Sequence, residues 1–458
     1  MSDQLTRQLR GRHIQLIAIG GTIGVGLFLG SAKAIQRAGP GLLLSYVVAG
    51  VAVFFIMRAL GELLVRRPVS GALAVLAEEF VGPFAGFATA WSYWFMWAVA
   101  GMVEITAIGI YVHYWAPAIP QWLSALCMLL LLYGSNLFAV RVFGETEFWF
   151  ALIKVTTIVL LIVAGLFILT TGASKLGPTA GISNLWAHGG FFPFGILGVL
   201  LTLQIVTFAY NGIEVVAMTA AETQNPQVVI PGAINSITYR ILIFYIGALV
   251  IIMSLIPWNQ LDPATSPFVV VFERLGIPGA GNVINFVVIT AAASSCNSGL
   301  YTTGRFLFFL AQRGQAPRAL ARLSSKHVPA RGVTVSAAVM LIGVGLNAIV
   351  PEKAFVWVTS ISLIGTLWTW GIIMLAHLKF RRGVAAGRET ASSFPMPGAP
   401  VANWLVLLFL LGVSAMLAFD PETRVAFYVA PVWFAFLGIT YHRWKSRHPD
   451  ALATQNTD

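Results

Sequence analysis

The chain has 458 residues, of which 58% are hydrophobic and 10% charged, with 28 Lys and Arg against 17 Asp and Glu. A soluble domain carries about 25% charged residues, so this chain has too few to cover a water-exposed surface. That excludes a soluble enzyme, a nucleic-acid binder and a disordered scaffold, and makes the lipid bilayer the expected partner.

Residues 1–13 are polar and basic. Apolar segments then fall at 14–36, 41–64, 84–115, 122–142, 148–171, 194–222, 240–258, 281–312, 332–350, 354–378, 402–419 and 425–442. Each approaches or exceeds the roughly 20 apolar residues that cross a bilayer as a helix, so twelve transmembrane helices are expected. Helices satisfy their own backbone in lipid, and no segment shows the alternation of a membrane β-barrel. The string GSAKA at 30–34 is similar to a signal-cleavage site. The glycine-broken apolar run before it and the many spans after it read instead as a first span. The link at 66–83 looks amphipathic and is expected along the inner surface. The links 313–331 and 379–401 read as short, basic, solvated loops, and 443–458 as a polar tail.

Orientation follows from the basic residues. With both termini inside, 22 of the 28 Lys and Arg fall in inner loops or inner span ends, and Lys33, Arg37, Lys175, Arg274, Lys353 and Arg424 fall outside. This is the positive-inside bias. It accounts for the net charge of +11 without a basic ligand surface. Cys127 and Cys296 lie in apolar stretches and suggest neither a disulfide framework nor a metal site.

Two spans do not read as straight helices. The first carries Gly20, Gly21, Gly24 and Gly26 around Thr22. Each Gly in a helix interior costs about 1 kcal/mol relative to Ala, so local unwinding is expected. Gly20 and Gly24 also fit a small-residue packing face. The sixth span carries the turn-forming pair Asn211-Gly212 with Glu214 two residues on. Paired breaks early and mid-chain point to a transporter with a midplane site. Freed N–H groups at the first break can hold a carboxylate, and freed carbonyls at the second an ammonium.

Charges within spans are functional candidates by default. Glu104 lies deep in the third span. Lys154 lies near the start of the fifth and can also reach the inner interface. Arg305, in the eighth, can snorkel. Glu62 and Glu222, at inner span ends, read as interfacial. Burial disfavours the charged form of any ionisable group, so Glu104 or Lys154 could exchange a proton. The seven histidines fall in loops or at span ends, Ser294, Ser295 and Ser298 have no base nearby in sequence, and no metal-ligand spacing occurs. An enzyme, a bound metal and a cofactor are therefore not expected. A channel would need rings of polar pore-lining groups.

Several strings together resemble the bacterial amino-acid permeases of the amino acid–polyamine–organocation superfamily, in its amino acid transporter family. They are RHIQLIAIGGTIGVGLFLGSAKAIQRAGP at 12–40, IMRALGELL at 56–64, GETEFWFALIKV at 144–155, ETQNPQVVIPGAINS at 222–236, INFVVITAAASSCNSGLYTTGR at 284–305 and LAQRGQAPRALARLS at 310–324. The resemblance covers essentially the whole chain. It implies an all-α fold of the leucine-transporter type, with helices 1 and 6 broken. A first five-helix repeat would occupy 14–171, a second, inverted one 194–378, and two additional helices 402–442.

The resemblance places the substrate carboxylate at Thr22, Ile23, Gly24 and Gly26, and the α-amino group at carbonyls around Phe208, Ala209 and Gly212. Phe208 falls at an aromatic gate in relatives, although an ordinary core Phe is the plain alternative. Lys154 falls at a position used for sodium in sodium-coupled cousins, which favours proton coupling. Glu104 and Glu214 fall where relatives carry acids linked to substrate or proton binding. The implied activity is import of a small neutral amino acid across the inner membrane by proton symport, or amino-acid exchange without net proton flow. Different strings are similar to threonine/serine, D-serine/D-alanine/glycine and proline-type permeases, and Tyr210-Asn211 departs from several of them. The sequence assigns no oligomeric state.

Overall fold

The computed structural model describes residues 23–68, 71–137, 140–172, 179–215, 225–263, 265–275 and 277–447, with the backbone alone over 140–146. All regular structure in them is helical. We number the helices α1 Val25–Phe28, α2 Gly30–Ala38, α3 Leu42–Arg66, α4 Ala72–Phe80, α5 Pro83–Trp115, α6 Gln121–Asn136, α7 Val140–Thr171 and α8 Gly195–Ala209. They continue as α9 Pro226–Arg240, α10 Ala248–Leu255, α11 Pro267–Arg274, α12 Ala280–Gln312, α13 Ala330–Ile349, α14 Pro351–Ala385, α15 Val401–Phe419 and α16 Val425–Arg447. A π-helical turn, Ile241–Gly247, joins α9 to α10. Among the described residues, nine helical stretches are long and apolar enough to cross a membrane, and Gly195–Ala209 is a shorter apolar helix. The chain is thus an all-helical, polytopic membrane protein.

Several segments differ from their expected bounds. The span expected at 122–142 stops at Asn136, where the side chains of Ser135 and Asn136 both turn back to the Leu132 carbonyl and compete with the helix ladder. The span expected at 240–258 begins already at Pro226. Its polar first turns lower the local hydropathy, but they pack on α3, where Asn235 accepts a hydrogen bond from Arg58. The link at 66–83 is not an open surface segment. It holds α4, whose Ala72, Leu73, Ala74, Leu76 and Ala77 are buried against α5 and α14, while Glu78 and Glu79 pair with Arg313 and Arg67.

The core is built on α5, which packs most extensively on α12 and α14; α13 closes this group against α6. A second group comprises α2, α3, α8 and α9, with α3 touching both α8 and α9. The link after α14, expected at 379–401 as a solvated loop, is mostly exposed, but it is tied down as a strap by a few contacts. Phe394 and Met396 are buried, and the strap runs along one stripe of α3: Arg58, Gly61, Glu62 and Arg66. Glu62, expected at the interface, is 1% exposed. It accepts hydrogen bonds from the Met396 N–H at 2.5 Å and from His377 Nε2 at 2.9 Å, with Arg381 at 3.4 Å. His377 therefore lies buried inside α14 and not at an open span end; its other ring nitrogen meets Asn403 of α15. Buried charges require this kind of pairing. Glu222 lies outside the described residues.

Candidate functional site at the two helix breaks

The first break ends at Gly24, which is extended (φ −121°, ψ −161°) and caps α1. The second begins after Ala209, where residues 210–214 form turns and Gly212 adopts φ +87°, a conformation that favours glycine. The two broken segments cross in direct contact. A Cβ built on Gly26 would lie 2.7 Å from Ala209 Cα, and one on Gly30 would lie 3.3 Å from Ile205 Cγ2. Gly26 and Gly30, four apart, therefore form a small-residue packing face of the kind considered for Gly20 and Gly24. Gly20, Gly21 and Thr22 lie outside the described residues. Gly24 plays a different part, because a Cβ there would lie 2.7 Å from Glu104 Oε1 and 2.8 Å from Ser295 Oγ. The missing side chain lets α5 and α12 bring polar groups up to the start of α1.

Ile23 is buried beside this point, and Glu104 is 6% exposed. Glu104 interacts with the Val25 backbone N–H, one of the N–H groups that a helix start leaves without an internal partner. Its Oε2 is buried without a hydrogen-bond partner. Lys154, wholly buried on α7, interacts electrostatically with Glu104 and with Glu147. Its Nζ donates to Ser294 Oγ at 3.0 Å, and Ser294 donates to Glu147 Oε1 at 2.5 Å. The structure thus joins Glu104 and Lys154 into one cluster and adds Glu147 and Ser294, which the sequence reading did not single out as a pair. Glu147 precedes Lys154 by seven residues, two helical turns. That spacing puts both on one face of α7 and was the available signal.

Glu214 belongs to a separate cluster. It is fully buried, accepts from Trp370 Nε1 at 3.2 Å, and has the Tyr93 hydroxyl beside it without a hydrogen bond. Asn211 Oδ1 accepts from Thr366. The carbonyls assigned to an α-amino group already have partners. Phe208 O accepts from the Asn211 N–H, Gly212 O from the Val215 N–H, and Ala209 O from the Tyr245 hydroxyl at 3.1 Å. Each keeps a second lone pair, so an ammonium would share these oxygens and not find them free. Arg305 lies over the Tyr301 ring, 3.6 Å from its centroid.

Phe208, 5% exposed, lines a cavity with Gly30, Lys33, Arg37, Gln204 and Glu422. The space open to the centre of a water molecule is about 30 Å³, enough for about two waters and too little for an amino acid. One residue fastens its rim. Asp420, between α15 and α16, accepts from Arg37 of α2 and from Gln204 of α8, the latter at 2.7 Å. Arg37 also pairs with Glu422 at 2.8 Å.

Residues 13–453 match the family model described as amino acid permease. The amino-acid permease AapA of Bacillus subtilis (strain 168) is 48% identical over 439 residues, covering 96% of this chain and 95% of that protein. The probable threonine/serine transporter YbxG of the same organism is 45% identical over 441 residues, with the same shares. The aromatic amino acid transport protein AroP of Escherichia coli (strain K12) is 45% identical over 439 residues, again covering 96% and 95%. The family implies a leucine-transporter-type fold and an amino-acid transport activity, not an enzymatic one. The chain is a multi-pass membrane protein that belongs to the amino acid permease family.

Proposed function

We propose that the protein imports a neutral amino acid together with a proton by alternating access, from outside the bacterial inner membrane to a cytoplasm that holds both termini. The twelve spans would divide into two inverted five-helix repeats and two appended helices. One observation carries the coupling: Glu104 Oε1 lies 2.7 Å from where a Cβ on Gly24 would stand and interacts with the Val25 N–H, at the start of α1 where the resemblance puts the substrate carboxylate. Two anions cannot share that position in a buried site, since like charges there repel strongly. Substrate would therefore bind when Glu104 is protonated, and proton and amino acid would load together. A ligand moves a two-state equilibrium only through its differential affinity, and the doubly loaded site would favour the inward-opening state.

Phe208 acts in this reading as the gate between the Lys33–Arg37 cavity and the breaks. Ile23 and Gly24 frame the carboxylate, a role the resemblance also gives Thr22, while Gly26 seats the first break on the second; Ala209 and Gly212 frame the ammonium, and Glu214 holds the second break against α14. A small side chain is the substrate class we favour, from the resemblance to threonine/serine permeases and the relative named for them. The aromatic transporter at equal identity makes neutrality the more secure property.

The test is uptake of labelled L-threonine and L-phenylalanine into proteoliposomes with an imposed pH gradient. Accumulation abolished by a proton ionophore supports the proposal, and accumulation that survives it overturns the coupling. Uptake seen only into preloaded vesicles would make the protein an exchanger. Glu104→Gln, a mimic of the protonated acid, should bind substrate but lose uphill uptake, and Lys154→Ala should lose uphill uptake as well.

A further inference from the structure

The coupling above uses Glu104 and Lys154 and leaves a second buried acid unemployed. Glu147, Ser294 and Lys154 are each 0% exposed. A buried acid two turns from a buried lysine is expensive to fold around. Simple neutralisation of Lys154 would need only one carboxylate, and Glu104 already interacts with it electrostatically.

We propose that Glu147, Ser294 and Lys154 form a proton relay, in which Ser294 carries the proton between the Lys154 amine and the Glu147 carboxyl. The proposal rests on the proton-coupled reading and deepens it. The geometry is directional. Lys154 donates to Ser294 at 3.0 Å, and Ser294 donates to Glu147 at 2.5 Å. Both hydrogen bonds point the same way along the chain of atoms.

A concerted shift breaks one N–H bond on Lys154 and forms one O–H bond on Ser294. In the same step the original Ser294 O–H bond breaks and an O–H bond forms on Glu147 Oε1. Lys154 ends as a neutral amine and Glu147 as a neutral acid, while Ser294 has exchanged one proton for another. The two hydrogen bonds are then reversed in sense with no group rotated, so the same atoms carry a proton back to Lys154, next to Glu104.

Two further observations fit transfer better than static pairing. Glu147 Oε2 has no hydrogen-bond partner although it is buried, and the buried Ser298 hydroxyl beside it has none either. A purely structural carboxylate would be expected to use both oxygens. Glu147 also lies nearer the start of α7 than Lys154 does, by about 10 Å at the helical rise. That start is the end that the basic-residue pattern assigns to the cytoplasm.

The full-length protein and its Glu147→Gln, Ser294→Ala and Ser294→Thr variants are reconstituted. Each is assayed with labelled L-threonine and L-phenylalanine for pH-driven accumulation and for counterflow at equal pH on both sides. Proton transfer by a placed side chain is worth on the order of 10²-fold or more. Glu147→Gln and Ser294→Ala should therefore lose pH-driven uptake on that scale and retain counterflow, while Ser294→Thr, which keeps the hydroxyl, should restore it. Wild-type accumulation in Glu147→Gln overturns the relay and leaves the coupling standing. Loss of counterflow together with accumulation in both Glu147→Gln and Ser294→Ala makes the pair structural and overturns the relay. Accumulation by the wild type in the presence of a proton ionophore removes the coupling itself, and the relay with it.

Discussion

One methyl group placed at three glycines separates packing from function. At Gly26 the new Cβ would sit 2.7 Å from Ala209 Cα and 3.2 Å from its N, both backbone atoms. No rotamer change relieves that contact, so α1 and α8 must part. Overpacking of this kind costs about 1–3 kcal/mol, and the upper end is expected because backbone must move. At Gly24 the new Cβ would meet the tips of Glu104 and Ser295, which can swing away. The loss is then about one hydrogen bond, roughly 1 kcal/mol of stability, but Glu104 leaves the Val25 N–H. At Gly345 of α13 no atom lies within 4 Å, and Ala gains up to about 1 kcal/mol of helix propensity. Apparent melting temperatures in detergent should rank Gly345→Ala at or above wild type, Gly24→Ala slightly below and Gly26→Ala lowest. Uptake should be normal in Gly345→Ala and lost in Gly24→Ala despite its near-native melting. A Gly26→Ala protein as stable as wild type would refute the contact between the broken helices, and normal uptake by Gly24→Ala would refute the role given to Glu104.

Three further outcomes are expected. Glu62→Ala leaves His377 and Arg381 without their buried partner, a loss of about 3 kcal/mol, and should speed tryptic cleavage after the exposed Arg388; unchanged cleavage would mean that Glu62 does not hold the strap. Asp420→Asn or Arg37→Gln should loosen the rim over Phe208 and raise the rate at which Ile205→Cys reacts with a polar thiol reagent in nanodiscs, which an equal rate in the parent background would contradict. Gly212→Ala forces a side chain into φ +87° within about 3.0 Å of the Trp97 ring, at a strain of about 1–3 kcal/mol, and should lower uptake more than it lowers expression.

What could be read from the sequence was set by local chemistry. Clustered glycines and Asn211-Gly212 announce breaks because they weaken a helix wherever they stand, and Glu104 and Lys154 stand out because a charge in lipid needs a reason. Pairings between distant segments left no such mark. Glu62 looked interfacial because it lies one turn from a span end; only the strap, more than 330 residues later, buries it. His377 read as a span-end residue for the same cause, its partner being remote in sequence. Glu147 was visible inside a motif, but its link to Lys154 passes through Ser294 on another helix. Gly24 and Gly26 looked equivalent in the sequence, yet one makes room for a carboxylate and the other for a helix.

The π-helical turn at Ile241–Gly247 sets a phase. A π turn holds one residue more than the α-helical ladder needs, and every side chain after it is rotated by about 100° relative to an uninterrupted helix. Tyr245 lies within that turn, with its hydroxyl on the Ala209 carbonyl at the second break. Deleting a single residue between 241 and 244 would restore the α-helical register and swing Tyr245 off Ala209 without changing any residue at the site itself. Insertions and deletions, tolerated in loops, would here behave like point mutations of the transport machinery.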